Sequence, residues 1–188
     1  MLGKVTHKPL YGNLLAGKPF TVNYAMGWTG DIFGENDVLG ADPTTFGLTN
    51  GKRGNNVSYT PWSSFAIVEG KDLEFIVNLD KPTEVSKVIF GSLFNPAMRM
   101  LPAGGIAVEV SADGQQYTQI AEKTLKHDCP ETGRIAFTDS IEFEPAQATF
   151  LKVKIKNGGT LRNGVNFEKN NGPEVIPAEL WIDEIEAY

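Results

Sequence analysis

The sequence predicts an all-β fold, an antiparallel sandwich of two sheets. Apolar and polar residues alternate with a period of two in several short segments, which is typical of strands buried on one face. No segment carries a helical apolar stripe longer than about ten residues. The 188 residues include 20 glycines and 11 prolines, a content that suits short strands joined by tight turns. A chain of this length corresponds to about one domain.

Seven segments are predicted to form strands. In residues 73–79 the apolar side chains Leu, Phe, Val and Leu alternate with polar or outward-facing ones. Asp113-Gly114 is a strong turn signal because both positions tolerate positive φ, so the strands on either side of it should form a hairpin. The candidate strands are residues 73–79, 85–90, 106–111, 117–121, 135–143, 149–156 and 180–186.

The distribution of these strands predicts the domain organisation and the place of function. Residues 1–16 are expected to be an N-terminal lead-in or linker, and residues 17–188 to form one domain. Three long connections remain, residues 25–64, 91–105 and 157–179. Because a sandwich uses its strands for packing, function is expected in these loops.

Charge and composition exclude several classes of protein. The chain has 17 Lys and Arg against 23 Asp and Glu, a formal net charge of −6, which argues against a nucleic-acid partner because such proteins neutralise phosphates. No run of 18 apolar residues is present, so no membrane span is predicted. The single cysteine, Cys129, cannot form an internal disulfide.

The chain is predicted not to be an enzyme. His127-Asp128-Cys129 offers a base, an acid and a nucleophile, but neighbours on an extended chain point in opposite directions and do not form a dyad. The adjacent carboxylates of Asp183 and Glu184 fail as a pair for the same reason. The sequence contains no nucleophile elbow, no zinc-protease motif and no phosphate-binding glycine loop.

Aromatic and planar polar side chains in the loops indicate a sugar-binding site. Trp62 or Phe94 would stack on the apolar face of a sugar ring, while Arg53, Asn95 and Arg99 would bind its hydroxyls or an acidic group. The alternative for Trp62 is a place in the core. Glycan is therefore the predicted ligand.

An oxygen-rich turn raises the question of a metal. Calcium takes six to eight oxygen ligands, including backbone carbonyls, and Leu48-Thr49-Asn50-Gly51 together with Glu184 of the last strand would supply oxygens of this kind. Residues 31–37, Asp-Ile-Phe-Gly-Glu-Asn-Asp, form a second acidic stretch. The alternative for both is an acidic loop that is simply solvated.

Several segments in order resemble the discoidin-like domains, also called factor V/VIII type C domains or family 32 carbohydrate-binding modules. Residues 48–54, Leu-Thr-Asn-Gly-Lys-Arg-Gly, resemble the Leu-Thr-Asp-Gly-x-Arg-Gly of that family. Residues 62–65, Trp-Ser-Ser-Phe, are similar to its Trp-x-Gly-Phe. Residues 72–82, 108–114 and 181–185 resemble three of its strands. The chain is similar to the C-terminal module of bacterial β-N-acetylhexosaminidases.

The resemblance implies an eight-stranded jelly roll and a non-catalytic module that targets an attached glycoside hydrolase to glycans. It implies a secreted, periplasmic or cell-surface protein, with the adjacent catalytic domain as a second partner. The family's structural calcium is bound by an Asp that is Asn50 here and by the Glu that is Glu184 here. The family's ligand loops correspond to residues 52–62, 91–102 and 157–166, which lack the His of galactose-binding members.

Two other functions remain open at this point. Appended sandwiches of this kind also serve as structural or protein-docking domains, and the apolar side chains of Met98, Met100 and Leu101 would suit an interface. Relatives in blood bind membrane surfaces through apolar loop tips, but a net charge of −6 opposes adsorption to anionic lipid. No membrane partner is therefore expected.

Overall fold

The computed structural model describes residues 12–23, 28–29, 47–51, 53–57, 63–64, 71–162 and 175–188. These residues contain one 3₁₀ helix, Pro96–Met98, and ten strands, which are β1 (Phe20–Val22), β2 (Trp28–Thr29), β3 (Ser63–Ser64), β4 (Leu73–Phe94), β5 (Gly105–Ser111), β6 (Thr118–Thr124), β7 (Ile135–Lys156), β8 (Thr160–Arg162), β9 (Val175–Pro177) and β10 (Trp181–Ala187). No helix among them has the length and apolar character needed to cross a bilayer.

The strands form an antiparallel sandwich, as the sequence predicts. The main sheet runs in the order β2-β3-β10-β4-β7-β5-β6, and β1 pairs with β4. The first half of β4 pairs with the end of β7, beside β5, while its second half pairs with the start of β7 and with β10. The long strands β4 and β7 therefore belong to both layers. One core cluster joins side chains of the two layers, including Phe75, Val108, Phe90 and Ile182.

Two pairs of predicted strands are in fact single long strands, which corrects the sequence prediction. Residues 73–79 and 85–90 both lie in β4, and the cross-strand register shifts between Asn78 and Thr83. Asp80 has a φ of 70° there, and Pro82 lacks the N–H that a ladder requires. Pro145 of β7 lies at a second register shift, opposite the step from Val85 to Lys87. The breakers interrupt the hydrogen-bond ladder but do not end the strand, as in a β-bulge.

The start of the described chain packs against its end. Leu15 is fully buried in the main core. The Leu14 N–H donates to the Ala187 carbonyl at 2.9 Å, and the Asn13 Oδ1 accepts a hydrogen bond from the Ala187 N–H at 3.2 Å. Residues 13–15 therefore pack as part of the sandwich, although the sequence analysis assigns them to the lead-in.

Two of the three long loops meet at one end of the sandwich. The Ser92 Oγ accepts a hydrogen bond from the Ala103 N–H at 3.2 Å, and the Gly104 N–H donates to the Lys156 carbonyl at 2.9 Å. Met100 forms a β-bridge with Glu179. The turns that follow β4 and β7 are thereby brought to the Trp181 end of β10, whereas Leu14 lies at its Ala187 end.

Candidate functional site

The described residues of the 47–57 loop, 47–51 and 53–57, are attached along strand β10. Leu48 is fully buried, and its carbonyl accepts a hydrogen bond from the Ile185 N–H at 2.8 Å. The Gly51 N–H donates to the Glu184 Oε1 at 2.9 Å. The Gly54 N–H donates to the Asp183 Oδ2 at 2.7 Å. The loop covers residues 183–186 of β10, which contributes to the burial of every residue from Trp181 to Ala187. Trp181 itself packs against Leu93 and Met100.

Arg53, which the sequence predicts as a glycan contact, binds this strand with its side chain. Its Nη1 lies 3.1 Å from the Asp183 Oδ1, and its Nη2 lies 2.8 Å from the Glu186 Oε1. The side chain is only 11% exposed. The planar guanidinium suits such a buried contact with two carboxylates, and Arg53 therefore anchors the loop.

Acidic side chains crowd the covered face of β10. Asp183, Glu184 and Glu186 are all buried, and the Tyr188 hydroxyl donates to the Glu186 Oε2 at 2.5 Å. Burial raises the pKa of Asp183, an effect that the Arg53 guanidinium opposes. Arg53 contacts the carboxylates of Asp183 and Glu186 but only the backbone carbonyl of Glu184. One guanidinium therefore lies among three buried carboxylates, which favours an additional positive charge.

Glu184 has the properties of a cation ligand. It is fully buried, its Oε1 accepts the Gly51 N–H, and its Oε2 has no hydrogen-bond partner. Burial raises the pKa of Glu184 to about 8. In the described part of the chain no three His, Cys, Asp or Glu side chains converge as a metal site. A cation here would depend on amide and carbonyl oxygens of the turn that ends at Asn50, a ligand type that calcium accepts.

A second polar cluster lies at the loop end of the sandwich. The Arg99 Nη2 donates to the Glu179 Oε1 at 2.8 Å. The Glu179 Oε2 accepts a hydrogen bond from the Trp181 Nε1 at 3.1 Å. The side chain of Arg99 is 44% exposed, in contrast to that of Arg53. This cluster, Arg99-Glu179-Trp181, joins the loop after β4 to the segment before β10.

The loop after β4 places the remaining predicted ligand residues. Asn95 and Met100 exchange two backbone hydrogen bonds of 3.0 Å around the 3₁₀ helix, so Asn95 lies next to the Arg99-Glu179-Trp181 cluster. Phe94, a predicted stacking residue, is only 2% exposed, so little of its side chain is accessible from solvent. Met98, in contrast, is 50% exposed.

Trp62 lies outside the described residues. Its neighbour Ser63 pairs with Ile182, and Ser64 pairs with Trp181. Strand β3 thus lies beside β10, whose first residue, Trp181, donates a hydrogen bond to Glu179. Sequence reasoning missed Glu179, because the strand that precedes it, β9, has three residues and shows no recognisable periodicity.

His127 has a different partner from the one its sequence neighbours suggest. Its Nε2 lies 3.0 Å from the Asp139 Oδ2, and the two side chains are 9% and 13% exposed. Burial and the nearby Asp128 raise the pKa of Cys129, which keeps the thiol protonated and a poor nucleophile. The arrangement therefore stabilises the packing of β7 and gives no sign of a catalytic dyad.

Comparison with solved structures finds the same fold in a chitosan-binding module. A mutant of chitosan-binding module 1, from a chitosanase/glucanase of Paenibacillus sp. IK-5, superposes with a TM-score of 0.52 at 17% identity, over 94% of this chain and 97% of that one. The chain has the β-sandwich fold of that module. A GH29 fucosidase mutant from Ruminococcus gnavus, in complex with fucose, gives a TM-score of 0.50 at 13% identity, over 96% of this chain and 27% of the fucosidase. No family model and no curated protein matches the chain.

Proposed function

We propose that this chain is a non-catalytic carbohydrate-binding module that holds an attached glycoside hydrolase close to its glycan substrate. The observation that carries the proposal is the Arg99-Glu179-Trp181 cluster at the loop end of the sandwich, in which Arg99 is 44% exposed and is held by the largely buried Glu179 and Trp181. The fold of this sandwich is shared with a chitosan-binding module. Function in such a scaffold is expected in loops held by rigid strands. We also propose that the protein is secreted, periplasmic or displayed on the cell surface, where an attached glycoside hydrolase would meet its glycan substrate.

The geometry suggests how the module would bind. Asn95 and Arg99 flank the 3₁₀ helix of one short turn, which also carries the exposed side chain of Met98. Trp62, which lies outside the described residues, keeps its predicted role of stacking on a sugar ring. Such sites bind weakly, but a tethered enzyme gains from the high effective concentration of its substrate.

Isothermal titration against a panel of oligosaccharides, with hits chosen from a glycan array, tests the proposal. Arg99→Ala is expected to lower the affinity about tenfold, the usual effect of losing a charge-assisted hydrogen bond. Lys87→Ala is the matched control, since the Lys87–Glu142 pair is also exposed but lies near Tyr188, at the other end of β10. Equal losses in both variants would contradict the proposed site.

A structural or protein-docking role is the second candidate. The exposed Met98 is one of two large apolar side chains that the described residues leave in solvent, the other being Val57. An array without any bound glycan, together with stable co-purification of the module and its catalytic neighbour, would favour this role. Retention of that complex by Met98→Asp would then exclude Met98 from the interface.

We further propose that calcium binds beside Glu184. The unpartnered Oε2 and the excess of carboxylates on β10 support it. When bound, the cation would neutralise buried negative charge and hold the 47–57 loop on the last strand. Asn50 would supply an amide oxygen where the family that the sequence resembles has a carboxylate. The formal negative charge of the site, and hence its expected affinity for calcium, is therefore lower.

A further inference from the structure

The ion pair at the loop end is held rigidly. The Arg99 Nη2 and Glu179 Oε1 are 2.8 Å apart. Glu179 is fixed at two other points, because its Oε2 accepts from the Trp181 indole at 3.1 Å and its N–H donates to the Arg99 carbonyl at 2.7 Å. The charge of Arg99 is therefore already compensated before any ligand arrives.

A paired guanidinium and carboxylate match the hydrogen-bonding character of hydroxyl groups. A guanidinium offers five N–H donors, and a carboxylate offers about four lone-pair sites. The contacts of Glu179 with Arg99 and Trp181 use one site on each oxygen. Neighbouring sugar hydroxyls can each donate and accept, so one accepts from Arg99 while the next donates to Glu179.

A charged ligand meets a different situation at this pair. A ligand carboxylate that approached Arg99 would also approach the Glu179 carboxylate, and like charges repel. A ligand ammonium that approached Glu179 would meet the Arg99 guanidinium in the same way. The formal net charge of −6 gives acidic polymers a further unfavourable contribution.

We infer that the Arg99–Glu179 pair makes the site select neutral glycans with adjacent hydroxyls over oligouronates and over cationic glucosamine oligomers. This inference rests on the proposed function and assigns Glu179 the role of specificity residue. The sequence leaves both hydroxyls and an acidic group open as partners of Arg99, and its pairing with Glu179 favours hydroxyls.

Titration calorimetry of the whole chain at low and high salt tests the inference. The probes are a panel of neutral oligosaccharides, oligogalacturonates and glucosamine oligomers. We expect binding to a neutral oligosaccharide that salt does not weaken, since no net charge is neutralised. Glu179→Gln should lower that affinity about tenfold and produce salt-sensitive binding of oligogalacturonate.

Glu142→Gln, in the exposed pair with Lys87, is the matched control and should change neither affinity. Salt-sensitive preference of the unaltered chain for oligogalacturonate or glucosamine oligomers would overturn the inference and leave the proposed function standing. An unchanged ligand profile in a folded Glu179→Gln variant would also overturn it. Absence of binding to all three classes would overturn the proposed function, and the inference with it.

Discussion

Two arginines show how the surroundings of a residue decide its role. Both lie in loops that the sequence resemblance assigns to ligand binding. The buried side chain of Arg53 lies between Asp183 and Glu186, whereas the more exposed side chain of Arg99 pairs with Glu179 at the loop end of the sandwich. No local sequence signal separates them, because the difference comes from contacts with residues about 80 to 130 positions away.

Replacement of these arginines should separate stability from binding. Arg53→Met leaves buried carboxylates without their counter-charge and should lower the free energy of unfolding by about 3–5 kcal/mol. Arg99→Met breaks an exposed pair and should cost less than about 1 kcal/mol. Urea unfolding of both variants measures the two values. Similar costs for the two would contradict the structural role of Arg53.

Gly91 is a second residue whose identity the structure explains. A Cβ atom at this position would overlap the carboxylate of Asp183, which is itself held by Arg53 and Gly54. Gly91→Ala should therefore destabilise the fold by about 1–3 kcal/mol through overpacking. Thr138, its exposed cross-strand neighbour, provides the control, and Thr138→Ala should stay within about 0.5 kcal/mol. Thermal unfolding of both variants is the measurement.

At the scale of elements, alternation predicted most of the sheet. The segments 73–79, 106–111 and 149–156 all lie in strands, because a strand buried on one face must alternate apolar and polar residues. Strands β2, β3, β8 and β9 have only two or three residues, too few to show a period. Long-range pairing, such as Glu179 with Arg99 across 80 residues, leaves no local pattern either.

The segment before β1 gives a prediction at this scale. Leu15 is fully buried in the main core, so Leu15→Ala should cost about 2–5 kcal/mol. Thr21→Ala, at an exposed position of β1, is the control and should have little effect. Chemical denaturation of the two variants measures the difference. A neutral Leu15→Ala would show that the domain begins later, near residue 17.

At the scale of the whole molecule, the buried carboxylates of β10 link stability to pH and to cations. The pKa of Glu184 is about 8 in the folded chain, against an ordinary value of 4.5. The folded state therefore holds this proton more tightly than the unfolded state does. This contribution to stability is complete below about pH 4.5 and is lost as the pH rises to about 8 and above.

In the presence of a chelator, the melting temperature should accordingly contain a contribution that falls between about pH 5 and pH 8. The side chain in the Glu184→Gln variant has no titratable proton, so this contribution should be missing from the pH profile of its melting temperature. Differential scanning calorimetry of both proteins across this range gives the comparison. Parallel profiles would show that Glu184 does not titrate in this interval.

Calcium should reverse the trend, because it stabilises the ionised form of Glu184. Added calcium is expected to raise the melting temperature more at pH 8 than at pH 5.5, through preferential binding to the folded state. Asn50→Asp should increase the shift by restoring a carboxylate to the turn. Magnesium at equal concentration controls for ionic strength. A chelator-insensitive melting temperature at pH 8 would contradict the calcium proposal.

The contact between Leu14 and Ala187 has a mechanical consequence. Leu14 and Ala187 are adjacent at one end of β10, whereas Arg99 and Glu179 lie at its other end. A linker joined near Leu14 and a linker joined near Ala187 would therefore both attach at the end opposite the proposed site. A hydrolase attached through such a connection would lie away from Arg99 and Glu179, so it would leave that end of the module accessible to a polysaccharide. This holds whether the module precedes a catalytic domain in the chain, follows it or lies between two domains.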